Sequence, residues 1–262
     1  MSKRNVNSIV CLTEESVETL FLLKKENLIK GVSIYAMRPV EAQSLPKVST
    51  FLKSNIEKIK EIAPDLVIGF SDIQQEIAKN LVAEGLNVLV TNQRSIEEIL
   101  EWIYRLSLLV DAKEEGLLLI KNLESIIKKV KKRAKFLSWK PKVYFEEWNE
   151  PQMSAIKWVS ELIEICGGEN IFAEKANQAM AKGRIVESKD IIEKNPDIIF
   201  ACWCGKKVNI ESIKEREGWG SVSAVTNNRI FELAPEIFLQ PGPAPILEGL
   251  DQILTIFEQL QP

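Results

Sequence analysis

The sequence predicts an α/β protein of two Rossmann-like lobes, each a mainly parallel sheet flanked by helices, bridged by one long α-helix. Three observations predict it. The stretch Asn55-Ile-Glu-Lys-Ile-Lys-Glu-Ile-Ala-Pro-Asp-Leu-Val-Ile-Gly-Phe70 has a counterpart far along the chain, Lys189-Asp-Ile-Ile-Glu-Lys-Asn-Pro-Asp-Ile-Ile-Phe-Ala-Cys202. Both read as a short amphipathic helix, a Pro-Asp break and an apolar run. Leu66-Val67-Ile68 and Ile198-Ile199-Phe200 are apolar without alternation, as in strands covered on both faces by helices. Between the repeats, Leu117, Ile120, Leu123, Ile127, Val130 and Ala134 recur at helical period.

Each element follows in order. Val6–Leu12 predicts a first strand, then a helix capped by Thr13 or Ser16 with Glu14 and Glu15 in its first turn. That helix presents Val17, Leu20, Phe21 and Leu23. Lys30–Ile34 is a second strand, and Arg38-Pro39 opens a loop through Pro46. Pro64 and Pro196 end the two repeat helices, because proline lacks an amide hydrogen and disfavours helix in the residue before it. A helix over 74–84 stops at Gly85, Val88–Val90 is a strand, and a helix over 95–109 completes the first lobe, residues 1–110.

Asp111-Ala-Lys-Glu114 resembles a capping box with aspartate at its head. The stripe that follows predicts one helix within 111–140, about 28 residues and roughly 42 Å at 1.5 Å per residue, a stiff spine between lobes. The second lobe, residues 141–262, opens with strand Lys142–Phe145 and a loop through Glu147 and Trp148 to Pro151. Helices over 154–166 and 209–217, strand Arg229–Leu233 and a terminal helix over 243–260 complete it.

Composition narrows the function. The chain has 262 residues, a formal charge of −3 and no histidine. A slightly acidic protein does not indicate a phosphate-backbone surface, so no nucleic-acid partner is expected. The one basic run, Lys128 to Lys135, fits the solvated face of a helix. Without histidine the commonest metal ligand and the commonest general base are missing. Of four cysteines, Cys11 and Cys166 sit in apolar contexts as core residues. Cys202-Trp-Cys204 lacks the spacing of a zinc or thioredoxin motif. No glycine-rich phosphate loop and no nucleophile motif appear. Glu146 and Glu147 are adjacent at a strand end, so they point to opposite faces and read as solvated or salt-bridged. No catalytic and no metal residues are expected. No stretch approaches the roughly 20 apolar residues needed to span a bilayer, and the basic start at Met1 lacks the apolar core of a secretory signal.

What remains is rings and polar groups after strands, where α/β proteins bind ligands. Tyr35, Arg38, Phe70, Trp148, Trp203, Glu236 and Gln240 are the candidate ligand residues, with Trp219 further along. Large rings at strand ends of both lobes suit a flat, bulky, partly apolar ligand in a cleft, and Arg38 and Glu236 suit its polar periphery. Trp158, at helical spacing with Leu162, reads as core.

Ser54-Asn-Ile-Glu-Lys-Ile-Lys-Glu-Ile-Ala-Pro-Asp-Leu-Val-Ile68, Glu164-Ile-Cys-Gly-Gly-Glu-Asn-Ile-Phe172 and the second Pro-Asp unit resemble substrate-binding proteins of vitamin B12 and iron-siderophore ABC transporters. Glu147-Trp148-x-x-Pro151, Cys202-Trp-Cys-Gly-Lys206 and Leu239-Gln-Pro-Gly-Pro243 resemble the cobalamin-binding branch. The resemblance spans essentially the whole chain. It implies the class III periplasmic-binding-protein fold, a monomer, and non-catalytic capture of a corrinoid (cobalamin-type) ligand for ABC-type import. It places Tyr35, Arg38, Phe70 and Glu236 near corrinoid-touching positions, with Trp148 and Trp203 on neighbouring loops. It also implies docking on a membrane permease through an exposed glutamate on each lobe. In lobe one the matching position is Gln75, beside Glu76; in lobe two it falls around Glu211 and Glu215. Haem or a ferric siderophore is the alternative ligand, with Arg38, Arg184 and Lys206 as a basic lining. An intracellular corrinoid- or tetrapyrrole-handling protein is the alternative role. The expected place is periplasmic or extracytoplasmic if a leader has been removed, and cytoplasmic if the chain is complete as given.

Overall fold

The computed structural model describes residues 6–178 and 180–262. The reading of a basic start at Met1 falls outside them. The chain divides into two compact units, Met1–Leu123 with Pro241–Pro243, and Glu124–Gln240 with Ala244–Pro262.

The first unit runs β1 (Ile9–Cys11), α1 (Glu14–Leu22), β2 (Ile29–Ser33), β3 (Lys47–Ser49), α2 (Ile56–Ile62), β4 (Leu66–Phe70), α3 (Gln75–Ala83), β5 (Val88–Thr91) and α4 (Ile96–Leu109). Its sheet is wholly parallel in the order β3-β2-β1-β4-β5. The strand order reverses between β1 and β4, the switch point beside which open α/β sheets bind ligands. Val10, Leu12, Val67, Ile77 and Leu81 form a buried cluster against this sheet. Ser95 caps α4 in a full capping box with Glu98.

The boundary between the units falls inside α5 (Lys113–Ala134), a helix of 22 residues and so shorter than its stripe implied. Two causes shorten it. Asp111 has φ +53, a left-handed backbone that cannot cap a helix. At the other end the chain turns at Phe136 and Leu137. The buried face is Leu119, Leu123 and Val130, whereas Leu117 is 44% exposed. The lysines of the basic run are exposed around buried Val130, as a solvated face requires.

The second unit continues with β6 (Lys142–Asn149), β7 (Gln152–Ser154), α6 (Lys157–Ile165), β8 (Glu169–Asn170), α7 (Ala173–Ala176) and α8 (Ser188–Lys194). It ends with β9 (Ile198–Ala201), α9 (Ile210–Lys214), α10 (Ser223–Thr226), β10 (Ile230–Glu232), α11 (Pro235–Phe238) and α12 (Leu250–Leu260), the last preceded by one wide turn at Pro245–Gly249. The sheet order is β10-β9-β6-β7, with β8 also on β6. Only β7 is antiparallel among the described strands, in a hairpin with β6. The expected loop at 147–151 is therefore mostly strand and turn, and Ser154 belongs to β7 rather than to α6.

The Pro-Asp repeat has a physical role in each sheet. Ala63 and Asn195 both close their helices in left-handed backbone, φ +49 and +44. Asp65 then accepts from the Asn7 amide at 2.8 Å, and Asp197 from the Lys142 amide at 2.8 Å. Each aspartate amide in turn donates to the same neighbouring strand, to Ser8 O at 2.9 Å and Lys142 O at 2.8 Å. The aspartate clamps the start of the central strand to the start of the next.

Candidate functional site

In the first unit all strands are parallel, so the segments after β1, β2, β4 and β5 leave from one edge. Tyr35 and Phe70 are half-buried there. Tyr35 stacks on Phe51, with centroids 4.5 Å apart and planes 13° off parallel. The Arg94 guanidinium lies 5.1 Å from the Phe70 ring centroid, within cation–π reach. Arg38 donates to Glu18 Oε1 at 3.2 and 3.3 Å from a carboxylate that is itself buried. The rings and the arginine thus share an edge, and the arginine's charge is already engaged.

Sequence reasoning missed Glu15 on this edge. Read only as a first-turn residue of α1, it is 1% exposed. Burial pushes its carboxyl up to about 7, against hydrogen bonds from the Thr13 hydroxyl at 2.6 Å and the Ser16 hydroxyl at 3.4 Å that pull it down. The segment Pro241–Pro243 packs on it: a Cβ at Gly242 would lie 2.6 Å from Glu15 Cβ. Gln93 fixes that segment by donating to Pro241 O at 3.2 Å. The adjacent Thr13 and Ser16 hydroxyls are the one sequence signal that could have marked Glu15 as a buried acceptor.

In the second unit the carboxyl ends of β6, β9 and β10 likewise share one edge. Trp148 lies on β6 itself, half-buried, and its indole N–H donates to Glu150 O at 2.8 Å. The Lys206 ammonium stands 4.7 Å from the Trp148 centroid and 4.8 Å from that of Trp203. Trp203, expected as a ligand-facing ring, is 3% exposed and belongs to the core. Its indole N–H donates to Glu146 Oε1 at 3.0 Å, which draws the ring inward. Trp219 is corrected in the same way: fully buried, edge-on to Tyr144, its N–H donating to Ser188 Oγ at 3.2 Å. Trp158 is core, as read.

Glu146 and Glu147 each have their own arginine. Glu146, with no exposure, accepts from Arg216 at 2.6 and 2.9 Å and from the Tyr144 hydroxyl at 3.2 Å. Burial first, and then the charge of Glu146, pushes the Tyr144 hydroxyl well above its ordinary value. Glu147 pairs with both terminal guanidinium nitrogens of buried Arg184, which also donates to Ser154 O at 2.8 Å. The expected basic lining is corrected accordingly: Arg184 is a buried structural cation. Glu236 is exposed in the first turn of α11. Gln240, expected to face a ligand, is 4% exposed and turns its amide N–H onto Glu236 O.

The three docking candidates are all exposed. Glu76 on α3 pairs with Lys79 at 3.3 Å, beside exposed Gln75; Glu211 pairs with Lys214 at 2.9 Å; and Glu215 follows α9. The four cysteines are free thiols, three of them buried, and burial pushes the Cys202 thiol up. Among the described residues no three histidine, cysteine or carboxylate side chains gather as a metal site, and no helix is long and apolar enough to cross a membrane.

The chain is 25% identical over 262 residues to the vitamin B12-binding protein of Vibrio cholerae, covering 97% of this chain and 90% of that one. It is 23% identical over 260 residues to an uncharacterized ABC transporter substrate-binding lipoprotein of Bacillus subtilis, covering 96% and 80%. The crystal structure of the periplasmic vitamin B12-binding protein of Vibrio cholerae superimposes with a TM-score of 0.76 at 22% identity, over 98% and 99% of the two chains. The apo periplasmic heme-binding protein of Roseiflexus sp. RS-1 does so with 0.83 at 21% identity, over 98% and 100%. The model of the periplasmic binding protein family matches residues 9–237, and the chain belongs to that family.

Proposed function

We propose that this protein captures a corrinoid, without catalysis, and delivers it to an ABC-type importer outside the cytoplasm. The observation that carries the choice of corrinoid is the state of the two arginines of the expected basic lining, the third cation, Lys206, standing over the Trp148 and Trp203 rings. Arg38 is engaged by Glu18, and Arg184 is buried against Glu147. Haem propionates and the anionic groups of ferric siderophores call for charge-assisted partners. A corrinoid, a flat macrocycle with an amide-rich rim, asks mainly for ring surface and neutral hydrogen bonds. Tyr35, Phe70 and Trp148 supply rings; Glu236 and the edge of Arg38 supply polar contacts. The relatives named vitamin B12-binding proteins support the same reading. Gln240 and Trp203 act by shaping the segments that carry the others. Glu76, Glu211 and Glu215 are the residues proposed to meet the permease.

The test is a tryptophan-fluorescence and calorimetric titration with cyanocobalamin, cobinamide, hemin and a ferric hydroxamate. Micromolar or tighter corrinoid binding, with hemin and the siderophore at least tenfold weaker, is the expected result. Hemin binding tighter than both corrinoids would replace the ligand, and no binding to any of the four would remove the capture role.

A further inference from the structure

The first unit carries a further concavity, formed by β5, the segment Asn92–Gln93 that follows it, and α4. It is a cavity of about 720 Å³ between β5 and α4. That volume lies in the range of small-molecule sites. Leu89 on β5 and Trp102, Leu108 and Leu109 on α4 make its apolar wall. Leu108 and Leu109 are 49% and 38% exposed, so the wall is apolar surface presented to solvent. β5 is the end strand of its sheet, which leaves this flank uncovered by any described strand.

The second observation concerns Trp102. It is 5% exposed, and its indole N–H is buried with no hydrogen-bond acceptor among the described residues. A buried donor without a partner is costly and rare, and an acceptor from a ligand would satisfy it. The rim decides the charge of that acceptor. Glu98 is consumed by the backbone amides of Arg94 at 2.6 Å and Ser95 at 3.0 Å. Glu101 is paired with Arg105 at 2.8 Å. Two carboxylates against one arginine repel an anion, and no rim cation is free to hold one.

We propose that this groove is a binding site for a small uncharged molecule with an apolar body and one carbonyl-type acceptor, received by the Trp102 indole N–H. It is separate from corrinoid capture and stands or falls without it.

The probes are three compounds of one chain length: 2-octanone, octanoate and octylammonium. The readout is the indole N–H spectrum of the ¹⁵N-tryptophan-labelled protein, in which Trp102→Phe identifies the Trp102 peak by its loss. The ketone should move that peak saturably and downfield, octanoate at least tenfold more weakly, and octylammonium should leave it in place. Leu108→Arg, a change at an exposed position that fills the groove, should abolish the ketone response while the other five indole peaks stay put. Equal shifts with all three probes, a response that survives Leu108→Arg, or no movement of the Trp102 peak up to millimolar ketone would overturn the assignment. Saturating cyanocobalamin should not change the ketone titration; competition between them would merge the two sites and refute a separate one.

Discussion

Replacing Arg216 with alanine removes two hydrogen bonds, at 2.6 and 2.9 Å, from a Glu146 carboxylate that has no exposure to solvent. The Tyr144 hydroxyl and the Trp203 indole remain as donors, but both are neutral. A buried ion whose partner is removed costs about 3–5 kcal/mol. Arg216 is 17% exposed, so water can reach part of the vacated space, and the lower end, about 3 kcal/mol, applies. For a protein of this size that corresponds to a fall of roughly 6–12 °C in melting temperature. Glu146→Gln in the same background removes the stranded charge while keeping an acceptor for Trp203. It should restore at least half of the loss. Urea unfolding followed by tryptophan fluorescence measures both variants and their double-mutant coupling. A cost for Arg216→Ala below about 1 kcal/mol, or no rescue by Glu146→Gln, would refute the claim that a desolvated ion pair holds the Trp203 segment onto β6.

Three further outcomes are expected. Glu15 titrates at about 7 in the folded chain against an ordinary 4.5, so between those values the folded state keeps a proton the unfolded state has lost. Stability therefore falls as pH rises through this window, by about 3 kcal/mol in all, and Glu15→Gln flattens the profile and melts higher than the parent at pH 8. Gly242→Ala places a methyl 2.6 Å from Glu15 Cβ and 3.1 Å from its Cα, a clash with near-backbone atoms; urea midpoints should register a loss of about 1–3 kcal/mol. Trp148→Ala should weaken cyanocobalamin binding about tenfold to thirtyfold, from roughly 60–80 Å² of ring surface at about 25 cal/mol per Å²; unchanged affinity would take Trp148 out of the site.

The Pro-Asp repeat was legible because proline and aspartate act there through the backbone, ending a helix and clamping a strand, and such roles recur wherever the same backbone path recurs. The edge strands β3 and β7 were not. β3 and β7 are three residues each, Lys47–Ser49 and Gln152–Ser154, with no apolar run; only their neighbours β2 and β6 define them. The long helix was over-read for a related reason. Its apolar stripe sets a face and not an end, and nothing between Ala134 and Pro141 breaks a helix by propensity alone. Gly167 packs where the chain leaves the helix, 3.3 Å from Leu137 and 3.4 Å from Ala134 to its would-be Cβ, and a contact so distant in sequence carries no local signal.

The rings were legible in position more than in orientation. A ring after a parallel strand must lie at the sheet's carboxyl edge, and Tyr35, Phe70, Trp148 and Trp203 all do. Whether its face looks outward depends on where its polar atom finds a partner. Trp148 turns its N–H to its own turn at Glu150 and keeps a face at the surface, whereas Trp203 turns its N–H to Glu146 and is drawn under. The adjacency of Glu146 and Glu147 held the clue. Two carboxylates side by side on a strand face opposite ways, and each needs a cation of its own when its face is covered. Arg216 answers one and Arg184 the other. An arginine recruited in that way is lost to any anionic ligand. The fold itself takes up these two arginines, and the charge this edge still presents is that of Lys206 over the Trp148 ring.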